Sequence, residues 1–77
     1  MTNWTAHIES NPAILFGKPT IKNTRISVDL ILEKFAAGDT FDDLLEAYPT
    51  IKKEDLIACF LFAADSIKNE VVFLKAS

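Results

Sequence analysis

The stretch SVDLILEKFAAGDTFDDLLEAYPTIKKEDLIACFLFAADSIK, Ser27 to Lys68, decides the fold. Ser27 offers a side-chain oxygen to cap a helix, Asp29 complements the positive end, and Gly38 follows as a stop. A helix is therefore predicted over Val28–Ala37, with Val28, Leu30, Ile31, Leu32, Phe35 and Ala37 forming a broad apolar stripe near the helical period. Thr40 opens a second helix, with Asp42 and Asp43 in its first turn and Leu44, Leu45 and Ala47 on its apolar face, ending before Pro49. The short interval Tyr48-Pro49-Thr50-Ile51 sets it sharply against a third and longest helix, about Lys53–Lys68, capped either by Lys52 or by Thr50. Two helices joined by such a turn are a helix-turn-helix candidate.

Working outward, residues 4–26 hold β-branched and aromatic residues broken by Asn11-Pro12 and Gly17-Lys18-Pro19, turn chemistry that keeps a helix from running through. Short strands are expected near Trp4–Ile8, Ile14–Phe16 and Thr20–Ile21. Pro19 lacks an amide donor, so its strand should lie at an edge or begin there. Past Lys68, the segment NEVVFLKAS reads as extended or frayed, with Val71–Leu74 as a late strand. The chain thus divides into a β/turn segment (1–26), a three-helix core (27–69) and a C-terminal tail (70–77) of a single domain.

The segment from Asn11 to Asp55 resembles the small bacterial domain-of-unknown-function family numbered 433. The resemblance rests on Gly17-Lys18-Pro19, Thr24-Arg25-Ile26, Gly38, Asp42-Asp43-Leu44-Leu45, Tyr48-Pro49 and Glu54-Asp55, in order and at the right spacing, and covers about residues 8–67. It implies a mainly α, homeodomain-like three-helix helix-turn-helix fold with a small N-terminal β-hairpin. It also implies an antitoxin-like role, since members are often encoded beside a PIN-like ribonuclease. The chain departs from the pattern at Phe16, where a second Gly is usual, at Asn23, where Gly precedes Thr-Arg, and at Lys52, where Ser or Thr opens the last helix. Asn23 is a mild change because Asn tolerates a left-handed backbone. Phe16 is expected to alter the turn or add an apolar contact.

Composition limits the function classes. The chain has 77 residues, 49% apolar and 25% charged, which suits one small globular domain whose marginal core favours oligomerisation or a bound partner. One cysteine and one histidine rule out an internal disulfide and a Cys/His zinc site, and a lone thiol suits a cytoplasmic location. The longest apolar run, Leu56–Ala64, is far shorter than the roughly 20 residues of a membrane span. The start, MTNWTAHIES, lacks the basic and apolar regions of a secretory signal. With only Gly17 and Gly38 there is no Gly-rich phosphate loop. His7 and Cys59 are too few for a nucleophile, base and orienting group, so no enzyme, catalytic residue, metal or cofactor is expected. Asp39, Asp42, Asp43 and Glu46 occupy one short helix and its cap, and are read as a solvated face in favourable dipole positions.

The net charge of −3 has the wrong sign for simple attraction to phosphate. Its distribution differs: residues 1–27 carry Lys18, Lys22 and Arg25 against Glu9, whereas residues 28–51 carry six carboxylates against Lys34. Lys18, Lys22 and Arg25, with Lys52 and Lys53 at the helix turn, are the candidate nucleic-acid contacts. Arg25 is expected chiefly to pair with a carboxylate of the second or third helix. On the third helix, Leu56, Phe60, Ala64, Ile67 and Val71 form the expected buried arc, with Ile57 and Leu61 at its edge. The opposite arc, Asp55, Ala58, Cys59, Phe62, Asp65, Ser66 and Asn69, has no Arg or Lys to read base edges. Phe62 on that arc is either a partner contact or covered by one end of the chain. With Val71, Val72, Phe73 and Leu74 it forms the candidate partner-binding set. The expected function is an antitoxin-like binding module that masks a PIN-like ribonuclease and binds its own operator DNA. The alternative is a protein-interaction or homo-oligomeric dimerisation domain without DNA binding.

Overall fold

The computed structural model describes residues 3–69. Two short antiparallel strands, β1 (Ile8–Ser10) and β2 (Pro19–Ile21), precede three helices, α1 (Val28–Ala36), α2 (Phe41–Ala47) and α3 (Lys53–Asn69), and 3-10 turns occupy Trp4–Ala6 and Leu15–Gly17. The chain is mainly helical, as expected, and β2 begins at Pro19.

The strands expected at Trp4–Ile8 and Ile14–Phe16 are corrected by backbone closure. Ser10 pairs with Pro19, Glu9 with Thr20 and Ile8 with Ile21, so residues 11–18 must turn back on themselves within a hairpin. The Asn11 side chain accepts from Ala13 N at 2.9 Å, its carbonyl accepts from Ile14 N at 2.8 Å, and the 3-10 turn closes the loop. Leu15, Phe16 and Gly17 all take positive φ (50°, 57° and 84°), which no strand allows. At the N-terminus, the Asn3 side chain caps the Trp4 turn, and pairing begins only at Ile8.

The helices start where the capping chemistry places them. Ser27 accepts from Leu30 N, and α1 ends at Ala37 before Gly38, whose φ of 106° requires glycine. Thr40 and Asp43 form a reciprocal capping box on α2. For α3, Lys52 is the capping residue by backbone, its carbonyl accepting from Asp55 N at 3.0 Å. Its lysine side chain cannot cap, so Asp55 reaches back and accepts from Lys52 N at 2.8 Å, and Thr50 makes no such bond. Asn23 adopts φ 63°, as its tolerance of the left-handed region predicts.

The core is Ile8 and Ile21 from the hairpin, Val28 and Ile31 from α1, Leu44 from α2, Ile51, and Leu56, Ala58 and Cys59 from α3. The expected burial of α3 is corrected here. Phe60 is 42% exposed, Ala64 is exposed and Ile67 is 72% exposed, whereas Ala58 and Cys59 are fully buried. The small side chains at 58 and 59 admit the N-terminal segment close to the helix, and that segment covers the face expected to be open.

Candidate interaction surfaces

The face of α3 that would read DNA in a helix-turn-helix is occupied by the protein's own N-terminus. Trp4 stacks edge-to-face on Phe62, with ring centroids 4.9 Å apart, and its indole N–H donates to Asp65. Nearly three turns before Asp65 on the same helix, the Asp55 carboxylate accepts from His7 Nδ1 at 2.8 Å. Asp55, Cys59, Phe62 and Asp65 follow helical spacing, so Trp4 and His7 bracket one continuous stripe. Phe62 is therefore half-covered by the chain's own end, the second of the two readings its position allows. Trp4 and His7 were not singled out from sequence. The signal for them was the small pair Ala58-Cys59 flanked by carboxylates, which marks a face made for close approach.

The candidate cations fall into two groups. Lys18 is bonded to Asp29 at 3.1 Å, an exposed pair that leaves it partly neutralised. Lys22 and Arg25 sit in the tight turn between β2 and α1, held by Thr24, whose hydroxyl donates to Ile21 O at 2.7 Å. Arg25 is exposed and makes no ion pair among the described residues, so the expected bond to a carboxylate of α2 or α3 is absent. The Ile21-to-Ile26 backbone bond closes the turn, and Arg25 lines the same hollow as Glu33 and Asp29 of α1. Lys52 and Lys53 are exposed at the start of α3. A short chain of contacts ties Lys22 to this end: Lys22 N donates to His7 O at 2.8 Å, the His7 ring bonds Asp55, and Asp55 caps Lys52. Val71, Val72, Phe73 and Leu74 lie outside the described residues.

Two open hollows of about 410 Å³ each flank α1. The first is apolar, walled by Pro19, Val28 and Leu32 on one side and Phe62, Ala63 and Ile67 on the other, with Lys18 and Asp29 at its rim. The second is mixed, with Arg25, Asp29 and Glu33 beside Leu15, Leu30 and the fully exposed Phe16. Phe16 thus holds a left-handed turn and makes no core contact, so of its two expected effects the added apolar contact is not seen.

The local electrostatics are structural in character. Bonds from Thr40, first through its backbone and then its hydroxyl, hold the Asp43 carboxyl below the usual range. The Ser27 hydroxyl, and after it Lys18, do the same for Asp29. Burial, aided by the nearby Asp55 charge, pushes the Cys59 thiol up to about 12, the signature of an inert core cysteine. Among the described residues no group of three or more His, Cys, Asp or Glu side chains is placed to hold a metal ion, and no helix is long and apolar enough to cross a membrane.

Comparison with known proteins agrees with the geometry. A crystal structure of a DUF433 member from Anabaena variabilis ATCC 29413 superposes with a TM-score of 0.75 at 30% identity, covering 79% of this chain and 60% of that one. The uncharacterised protein y4eO of Sinorhizobium fredii (strain NBRC 101917 / NGR234) is 32% identical over 56 residues, which is 73% of this chain but only 25% of the relative's length. The family described as proteins of unknown function, DUF433, matches residues 8–63, most of the described structure from β1 into α3, and the chain belongs to that family.

Proposed function

We propose that the chain is a protein-binding module of antitoxin type, which masks a PIN-like ribonuclease through apolar contacts and not through base reading by α3. The observation that carries this reading is the covered face of α3, where Trp4 and His7 occupy Asp65 and Asp55 and the buried Ala58 and Cys59 leave nothing to present to a groove. The accessible apolar surfaces are the hollow between α1 and α3, and Phe16 at the tip of its turn. The nuclease as partner rests on the family resemblance, and Phe62 with the sequence run Val71–Leu74 supplies contact chemistry. The test is a tagged pull-down from native lysate, followed by RNA-cleavage assays on the eluate after the bait is removed. A stoichiometric nuclease, inhibited when the bait is returned, is expected. An eluate without RNA-cleaving activity overturns the masking role.

A second reading, operator binding through phosphate contacts, is favoured by the link from Lys22 through His7 and Asp55 to Lys52. Lys22, Arg25, Lys52 and Lys53 would touch the backbone without reading bases, with Lys18 weakened by Asp29. If four such contacts form, DNA affinity falls roughly 100-fold between 50 and 200 mM salt, and Lys22→Glu with Lys53→Glu abolishes most of it. Affinity that is absent at low salt, or indifferent to both changes, eliminates this reading.

A further inference from the structure

We propose that two copies of this chain close into a two-fold dimer in which Phe16 of each copy seats in the apolar hollow between α1 and α3 of the other. Phe16 stands fully exposed on a left-handed backbone (φ 57°), so the fold turns an aromatic ring to solvent and gives it no core contact of its own. The hollow has the matching character. It measures about 410 Å³, opens to solvent, and is walled by Val28 and Leu32 of α1 and Phe62, Ala63 and Ile67 of α3. Ile67 is 72% exposed at its edge, so among the described residues this apolar wall has no cover.

The parts lie where a two-fold axis needs them. Lys18 and Asp29 line both hollows beside α1 and so form the ridge between them, with Phe16 on one flank of the ridge and the apolar hollow on the other. Turning a second copy about an axis through this ridge carries each Phe16 across it to the other copy's hollow. The exchange is reciprocal, so the contact closes at two chains. Charge complementarity selects the same occupant. The ridge holds one cation and one anion 3.1 Å apart, and the rotation sets Lys18 of each copy against Asp29 of the other. A partner surface of a single sign would match only half of it. The inference does not rest on the nuclease reading, because it concerns the purified chain alone, and a nuclease would compete for the same surfaces.

Analytical ultracentrifugation of the full chain tests it. The contact is small, so a dimer with a dissociation constant of roughly 10–100 μM is expected. Phe16→Gly removes the ring from both seats while relieving the turn, so dimer affinity should fall at least about 100-fold while the melting temperature of the dilute chain does not fall. Ile67→Asp puts a charge at the hollow and should weaken the dimer comparably, with the circular dichroism unchanged because Ile67 is outside the core. An equimolar mixture of the two variants should associate more tightly than either alone, because Phe16 of the Ile67→Asp chain still meets the intact hollow of the Phe16→Gly chain. A wild-type chain still monomeric at about 1 mM overturns the proposal, as does a dimer indifferent to either variant. Growth beyond two copies, or a mixture no tighter than the separate variants, overturns the reciprocal seating.

Discussion

Phe16 shows how a single side chain can disagree with its backbone. At φ 57° and ψ 31° it occupies the left-handed region, at a cost of about 1–2 kcal/mol for a residue with a β-carbon, and its fully exposed ring recovers nothing in packing. Phe16→Gly is expected to raise stability by about 1 kcal/mol, the relief being offset in part by the greater freedom of glycine in the unfolded chain, as read by chemical denaturation. If Phe16 serves a partner, the same change lowers the yield of that partner in a pull-down. Cys59 gives a second residue-scale prediction. With its thiol pushed up to about 12 from an ordinary 9.0, it should resist alkylation at pH 8 in the folded chain and react once the chain is unfolded. The unfolded thiol ionises first, so its neutral burial stabilises the fold below about pH 9 and that contribution declines as pH rises toward 12. The sequence marked Cys59 as a small, semi-buried helix residue outside the main buried arc, and the structure buries it fully.

The elements themselves were largely legible, because their signals are local. Ser27, Gly38, Thr40 and Pro49 act within one turn of the chain, and α1 and α2 begin and end beside them. Losing such a cap has a predictable consequence: Thr40→Ala is expected to cost about 1 kcal/mol by unmaking one half of the box on α2. The pH dependence follows from the same box. Asp43 and Asp29 have folded pKa values held below their ordinary 3.8, so their contribution is present above that value and lost as pH falls through and below it. Melting temperature should therefore begin to drop below about pH 4, and Asp43→Asn should flatten part of that drop. The two incorrect strands had a different origin. β-branched and aromatic residues fit a pleated surface only when a partner strand exists; the Ser10 to Pro19 pairing leaves residues 11–18 with none, and pairing that starts at Ile8 leaves Trp4–Ala6 to the turn capped by Asn3.

For the whole molecule, the decisive contact joins residues far apart in the chain. Trp4 and Asp65 are 61 positions apart, and their bond, with Phe62 beneath the indole, covers the prospective reading face of α3 at Ala58, Cys59 and Phe62, while Asp65, Ser66 and Asn69 stay exposed. Trp4→Ala should cost about 2–3 kcal/mol in urea unfolding, somewhat less than for a fully buried tryptophan because Trp4 is only half-buried. It should also expose Phe62 and increase binding of an apolar dye. A change of less than half a kcal/mol would mean that the N-terminal turn is not docked in solution. Composition, capping residues, turn chemistry and family motifs were enough by themselves to establish the mainly helical order, the hairpin ahead of it and the family, since each of these acts over a few residues. Only the tertiary structure decided which part of α3 is covered, that among the described residues Arg25 makes no ion pair with α2 or α3 while Lys18 has Asp29, and that Ile67 is exposed while Phe60 lies half-exposed against Phe35 and Phe41. The physical reason is that both faces of α3 carry enough apolar surface to be buried, and the choice between them depends on where the hairpin sets Trp4 and His7, a placement that helical periodicity does not encode.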